Sequence, residues 1–315
     1  MRFEIWIDGG TTNTRYTLTE DGRVLERVSR HVGASSAEAD GNRALREAVA
    51  EELSVIQARH GLRAERVVIA GMITSGSGLY ELAHVPAPAG ADELAAGAKR
   101  IEMPDITPAP ILCLPGVKCF CDGQSDMMRG EEVEIMGALG APEEGPRAFI
   151  HFGSHNKLIL TENGRITRSM TTLTGELLAA VTGHTVLAGT LGAPDGTLTL
   201  ADEFVRRGFH AARENGLSRA LFQTRLLQTL DGAARSEAYS FLFGALCQQD
   251  LAAFGPWLQE ARAPLTLYGR EIWEDAFLCC AKEALGEIAA TRIGYQESQW
   301  LSLRGMQKVA AKFEG

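Results

Sequence analysis

The stretch Glu4-Ile5-Trp6-Ile7-Asp8-Gly9-Gly10-Thr11-Thr12-Asn13-Thr14-Arg15-Tyr16-Thr17-Leu18 decides how the chain reads. Ile5 and Ile7 alternate with other residues, as in a half-buried strand. Asp8-Gly9-Gly10-Thr11 breaks that strand in a tight turn, and alternation resumes through Tyr16 and Leu18. The result is a hairpin whose turn carries a carboxylate, two glycines, three hydroxyls, an amide and an arginine. Successive backbone N–H groups in such a turn form a concavity for anions. A carboxylate at its edge suits Mg²⁺, directly or through water. An ordinary glycine-rich hairpin has the same local features.

A second copy separates these readings. Thr19-Glu20-Asp21-Gly22-Arg23-Val24 returns as Thr161-Glu162-Asn163-Gly164-Arg165-Ile166. Before it stand Ala148-Phe149-Ile150-His151-Phe152, then Gly153-Ser154-His155, then Asn156-Lys157-Leu158-Ile159-Leu160. Asp-Gly and Asn-Gly are strong hairpin signals. A repeated supersecondary unit points to two related domains, and two phosphate-type turns facing across a cleft make a nucleotide site. The chain resembles the actin/sugar kinase/Hsp70 superfamily in this. The fold expected is α/β, with two ribonuclease H-like domains, residues 1–143 and 144–315, the last helix packing back at their junction. His151 stands where the first copy has Asp8, so the first turn is expected to handle metal and the second phosphate.

The 315 residues suit two domains, and the net charge of −9 with no basic run argues against a nucleic-acid surface. No apolar stretch approaches membrane-spanning length. The N-terminus reads as a strand inside a domain, so a cytoplasmic protein is expected. Cys113, Cys119, Cys121, Cys247, Cys279 and Cys280 fit no usual zinc spacing and read as free thiols. A homodimer is compatible with the sequence, which does not specify it.

Between the hairpins, Arg43 to His60 reads as a helix ended by Gly61. Val67 to Ala70 reads as a buried strand running into the glycine- and hydroxyl-rich loop Gly71 to Gly78. Loops at the carboxyl ends of central strands are where open α/β sheets bind ligands. Pro86 to Pro110 reads as an excursion covering the domain, and Ile111 to Leu114 as a strand. From Arg129 onward the chain reads as helical, with Gly130 and Gly137 on one face for another helix to approach. Gly305, Ala310 and Ala311 make the last helix, Leu303 to Lys312, slim enough to be that partner. Arg129, Glu131 and Glu132 crowd the first turn. They suit helix-terminus electrostatics, or an arginine for an anionic substrate with a carboxylate for proton transfer.

Pro142 to Pro146 reads as the domain boundary. Thr174 reads as the N-cap of a helix to Leu187, Gly189 to Thr199 as a loop, and Leu200 to Gln228 as helical. Ser236 to Phe254 reads as an apolar helix and Pro264 to Tyr268 as a strand ending at Gly269, a position suited to adenine or ribose.

With these pieces in order the chain resembles the 2-dehydro-3-deoxygalactonokinase family. The matching blocks are Ile7-Asp8 with Gly10-Thr11-Thr12-Asn13 and Arg15; Ala70-Gly71-Met72-Ile73 with Ser75; Met128-Arg129-Gly130-Glu131-Glu132; Gly153-Ser154-His155 with Lys157; and Leu173-Thr174-Gly175-Glu176. The resemblance implies phosphorylation of the 6-hydroxyl of a 2-oxo-3-deoxy sugar acid by ATP with Mg²⁺. On that reading Asp8 holds the metal, while Gly10, Thr11, Thr12, Asn13, Gly153, Ser154, His155, Lys157 and Gly269 serve the nucleotide. Glu131 accepts the proton, with Asp126 and Glu176 as rivals. Arg129 grips the carboxylate, and Arg15, Met72, Ser75, Thr174 and Glu176 complete the sugar-acid site. Gly9 stands where the family carries an aromatic residue, Phe152 where it carries proline and Tyr80 where it carries tryptophan. A non-catalytic sensor or an activator ATPase on the same fold is the alternative.

Overall fold

The computed structural model describes residues 1–34, 42–121, 123–140, 144–192 and 198–314. Parts of the expected boundary at 142–146 and of the loop at 189–199 lie outside these residues. Two compact units form. The first comprises Met1–Gly145, Thr161–Ser169 and Gln299–Gly315; the second comprises Pro146–Leu160 and Met170–Ser298.

The first stretch of the chain builds β1 (Phe3–Gly9), β2 (Thr14–Glu20), β3 (Arg23–Arg30), α1 (Arg43–His60) and β4 (Arg66–Gly71). There follow β5 (Val85–Pro86), α2 (Ala91–Gly97), β6 (Lys99–Met103), β7 (Thr107–Cys113), β8 (Val117–Cys121), β9 (Gln124–Met128) and α3 (Glu131–Ala138). One sheet has the order β3-β2-β1-β4-β7-β6, and a smaller one β5-β8-β9. Ile5, Ile7, Tyr16 and Leu18 pack with Val67, Ile69 and the Leu45, Val49, Leu53 and Ile56 face of α1. Gly61 ends α1 in the left-handed region, φ 62°, where glycine carries no Cβ penalty.

The later stretch builds β10 (Pro146–Phe152), β11 (Asn156–Glu162), β12 (Arg165–Thr172) and α4 (Thr174–His184). It continues with α5 (Asp202–Asn215), α6 (Leu217–Thr229), α7 (Arg235–Ala261), β13 (Leu265–Gly269), α8 (Glu271–Leu285), β14 (Ala290–Ile293) and α9 (Tyr295–Ser298). The last helix, α10 (Leu301–Glu314), belongs to the first unit. The second large sheet has the order β12-β11-β10-β13-β14.

The internal repeat extends to topology. In each large sheet the third, second and first strands of a meander precede a strand parallel to the first, β4 beside β1 and β13 beside β10. Asp8 pairs with Ala70 and Gly9 with Gly71; His151 pairs with Tyr268 and Phe152 with Gly269. His151 therefore occupies the place of Asp8. Both meander turns need positive φ, and Asp21-Gly22 and Asn163-Gly164 supply it, at 48° and 82° and at 50° and 75°.

Several expectations need correction. Residues 86–110 are not only a cover: β6 and β7 extend the main sheet. Pro108 and Pro110 argue against a strand, yet β7 pairs with β4 only over Ile111–Cys113, so neither proline interrupts that ladder. Arg129 lies outside the helix, because Gly130 at φ 119° turns the chain between β9 and α3. Gly130 faces the Gly71 backbone, whereas Gly137 alone meets α10, at Leu301 and Gly305. Gly216 divides Leu200 to Gln228 into α5 and α6. Leu173, not Thr174, is the N-cap of α4, which ends at His184.

Candidate active site

Asp8 ends β1. Its Oδ2 accepts hydrogen bonds from Arg15 Nη1 and from Ser302 Oγ, both at 3.0 Å. Arg15 is thus an ion-pair partner of Asp8. Asp8 Oδ1 takes no hydrogen bond among the described residues. In the turn beyond, the Gly10 N–H donates to Asn13 O at 2.8 Å, closing the loop, and Thr11, Thr12 and Asn13 are exposed. Gly9 is glycine for a local reason: a Cβ there would sit 2.5 Å from Ile73 Cβ and 3.2 Å from Ile73 N. Ile73 leaves no room for an aromatic residue.

Beside it, Gly71 ends β4 at φ 85°, and a Cβ would lie 2.5 Å from Gly9 O and 3.4 Å from Asp8 Oδ1. A Cβ on Gly130 would lie 3.6 Å from Gly71 Cα. Three separate sequence blocks, around Asp8, Gly71 and Gly130, therefore meet at one point of the first unit.

Arg129 holds the intervening loop. Nη1 donates to Thr74 O at 2.7 Å and Thr74 Oγ1 at 2.8 Å; Nη2 donates to Leu82 O at 2.7 Å and approaches His84 Nδ1 at 3.1 Å. These four partners use every N–H of the two terminal nitrogens. The bidentate carboxylate grip expected of Arg129 is not available in this arrangement. Ser75 Oγ turns back on Met72 O at 2.6 Å, within the same loop.

Two carboxylates fold over the start of α3. Glu131 Oε2 accepts the Arg129 N–H at 3.2 Å, and Glu132 Oε2 accepts the Gly130 N–H at 2.7 Å. Glu132 is fully buried and its Oε1 has no hydrogen-bond partner. Burial, reinforced by Glu131, pushes its carboxyl up to about 8, so Glu132 keeps its proton at neutral pH. Asp126 sits on β9 opposite Cys119, half-buried.

In the second unit, Gly153, Ser154 and His155 link β10 to β11. The Glu176 N–H donates to Ser154 O at 2.8 Å, and His155 Nε2 lies 3.1 Å from Glu176 Oε1. A Cβ on Gly175 would be 2.6 Å from Ser154 O, so the start of α4 lies directly on the turn. Thr174 Oγ1 donates to Asp250 rather than capping α4. Lys157 is buried, 4% exposed, and so is not a solvated charge. Gly269 sits at φ 118°, where a Cβ would lie 2.9 Å from Phe152 N.

Sequence reasoning brought Asp8, the Gly71 loop and the Arg129–Glu132 block together. It missed Ser302, Thr74, His84 and Asp250. Of these only Asp250 left a signal, as an acid in the middle of a mostly apolar helical stretch.

A family model described as 2-keto-3-deoxy-galactonokinase matches residues 8–291. The chain belongs to this family. Its members are sugar acid kinases, and this chain is accordingly a phosphotransferase. It is 28% identical over 251 residues to "Probable 2-dehydro-3-deoxygalactonokinase DgoK1" of Rhizobium meliloti (strain 1021), covering 78% of each chain. It is 25% identical over 274 residues to the 2-dehydro-3-deoxygalactonokinase of Escherichia coli (strain K12), covering 85% of this chain and 86% of that one. A crystal structure from Sinorhizobium meliloti, of a protein assigned the same activity, superposes with a TM-score of 0.77 at 25% identity over 98% of both chains. The fold recurs at much lower identity in a sugar kinase. The ligand-bound xylulose kinase of Lactobacillus acidophilus shares it at a TM-score of 0.54 and 8% identity, over 99% of this chain and 90% of that one. Among the described residues no helix is long and apolar enough to cross a membrane.

Proposed function

We propose that the chain transfers the γ-phosphoryl group of ATP to the 6-hydroxyl of 2-dehydro-3-deoxy-D-galactonate, giving ADP and the 6-phosphate. The supporting observation, beside family membership, is the meeting of Asp8, Gly71 and Gly130 in the first unit. Phosphoryl transfer asks a protein mainly for positioning and charge neutralisation.

Mg²⁺ fits this site as a companion of the nucleotide. Among the described residues no group of three His, Cys, Asp or Glu could hold a metal, and Mg²⁺ commonly takes one carboxylate with substrate phosphates and water. Asp8 would be that carboxylate: Arg15 and Ser302 fix Oδ2 and leave Oδ1 for the ion. When bound, Mg²⁺ neutralises charge on the phosphates. Thr11, Thr12 and Asn13, exposed beyond Gly10, contact the transferring phosphoryl.

Glu131 takes the proton of the acceptor hydroxyl. It is partly exposed and ends 3.2 Å from the Arg129 amide, whereas Glu132 already carries a proton. Arg129 acts by position, holding the loop of Met72 and Ser75 against the sugar acid. In the second unit Ser154 and His155 bind nucleotide phosphate, Glu176 orients His155, and Gly269, at the end of β13, lies beside the adenosine. The six free thiols suit a reducing cytoplasm.

The test is ADP release with and without 2-dehydro-3-deoxy-D-galactonate, followed by a panel of C6 sugar acids. Release that depends on the acid and yields a phosphorylated acid is expected. Release that ignores every acid would favour an ATPase, and no release with any acid would remove the kinase reading.

A further inference from the structure

Helix α7 buries one charged side chain among its apolar residues, Asp250, which is fully inaccessible. No cation pairs with it among the described residues. It is held by three donors instead. Oδ1 accepts the Thr172 hydroxyl at 2.6 Å and the Thr174 hydroxyl, and Oδ2 accepts Asn156 Nδ2 at 2.7 Å. A buried carboxylate is costly unless such charge-assisted bonds compensate it. Burial raises the proton affinity of Asp250, and the same three donors oppose the rise.

The identity of the donors carries the argument. Asn156 is the first residue after the turn Gly153–His155. Thr172 ends β12, and Thr174 opens α4, two residues before the amide that holds Ser154 O. One carboxylate thus ties down three chain segments that frame one turn. Removing it leaves Asn156 Nδ2 without its acceptor and leaves the two hydroxyls only each other and Asn156 O, at 3.0 and 3.4 Å, which loosens the start of α4, on which the turn rests.

We infer that Asp250 is a positioning residue for the phosphate-binding turn Gly153–His155, acting through Asn156, Thr172 and Thr174. This rests on the nucleotide reading of that turn. The ligand it serves is the polyphosphate of a nucleotide, and Asp250 itself touches no substrate.

The test compares Asp250→Ala and Asp250→Asn with the parent, as full chains, by calorimetric titration with ADP and Mg²⁺ and by steady-state kinetics. Asparagine keeps an acceptor for both hydroxyls. Asn156 can then turn its amide, because its Oδ1 is buried without a partner and accepts from the new amide. Misplacing a binding group by about 1 Å costs up to about 10²-fold. The alanine variant should therefore raise the ADP Kd and ATP KM by about tenfold or more, leave the sugar-acid KM within about twofold, and be rescued by asparagine to within about threefold of the parent. ADP binding at the parental Kd in the alanine variant, equal rises in both KM values, or an asparagine variant as impaired as alanine would each overturn the inference. If alanine prevents folding, Thr174→Val takes its place, being isosteric and removing one donor. A Kd raised by about threefold supports the inference and an unchanged Kd overturns it. A parent that does not bind ADP would remove the nucleotide reading itself, an outcome distinct from a parent that binds and variants that do not differ.

Discussion

Replacing Gly305 by alanine tests the crossing that seats the last helix on the first unit. A Cβ at 305 would lie 2.6 Å from the Val133 carbonyl carbon and 3.1 Å from Gly137 N, and would overlap the Val133 carbonyl oxygen. These are backbone atoms of α3 and cannot rotate away. Carbon atoms pack at about 3.5–4 Å, so the helices would have to separate by about 1 Å. Overpacking of this kind costs about 1–3 kcal/mol, and the better helix propensity of alanine returns up to about 1 kcal/mol. A net loss of about 1–2 kcal/mol is expected. In a unit of roughly 170 residues, where 1 kcal/mol moves the midpoint by about 2–4 °C, the first calorimetric transition should fall by about 2–8 °C. Activity should fall as well, because α10 brings Ser302 to Asp8 and Lys308 to the Met136 and Leu139 carbonyls that end α3. Gly183→Ala is the control, since nothing lies within 4 Å of its Cβ position; it should leave both readings near parental. A Gly305→Ala midpoint within about 1 °C of the parent would refute the packing argument.

Asp8→Asn keeps shape but removes the charge that Arg15 and Ser302 orient, so kcat should fall by about 10²–10³ with a smaller change in ADP Kd; a folded variant above about a third of parental kcat contradicts the role of Asp8. Arg129→Lys has three donors for four partners, so the sugar-acid KM should rise by about tenfold with little change in ATP KM and with faster amide exchange over residues 74–84; equal changes in both KM values would point elsewhere. Glu132 binds its proton more tightly folded, at about 8, than unfolded, near 4.5. The stability this lends is complete below the unfolded value and is lost as pH rises toward the folded one. Glu132→Gln should flatten the decline in denaturant midpoint across that window, and identical pH slopes in the two proteins would contradict the buried proton.

Local chemistry alone settled the meanders, because Asp-Gly and Asn-Gly at 21–22 and 163–164 impose their own backbone geometry. The same holds for α1, whose apolar spacing and terminal Gly61 need no distant partner. The recurrence of that local pattern also made two related units legible. The small sheet of β8 and β9 was not legible, since Cys119, Phe120 and Ser125 to Met128 carry no helical or alternating preference strong enough to declare it. Nor was the use made of side chains already singled out. Arg15 and Arg129 announce themselves as binders of a ligand's anion, yet Arg15 pairs with Asp8 of the chain itself and Arg129 with the carbonyls of the 74–82 loop. Ser302 meets Asp8 across 294 positions of chain, and Thr174 meets Asp250 across 76. A residue's type limits what it can bond. Which bond forms depends on the donors and acceptors that packing leaves beside it, and at such separations only the tertiary fold decides that.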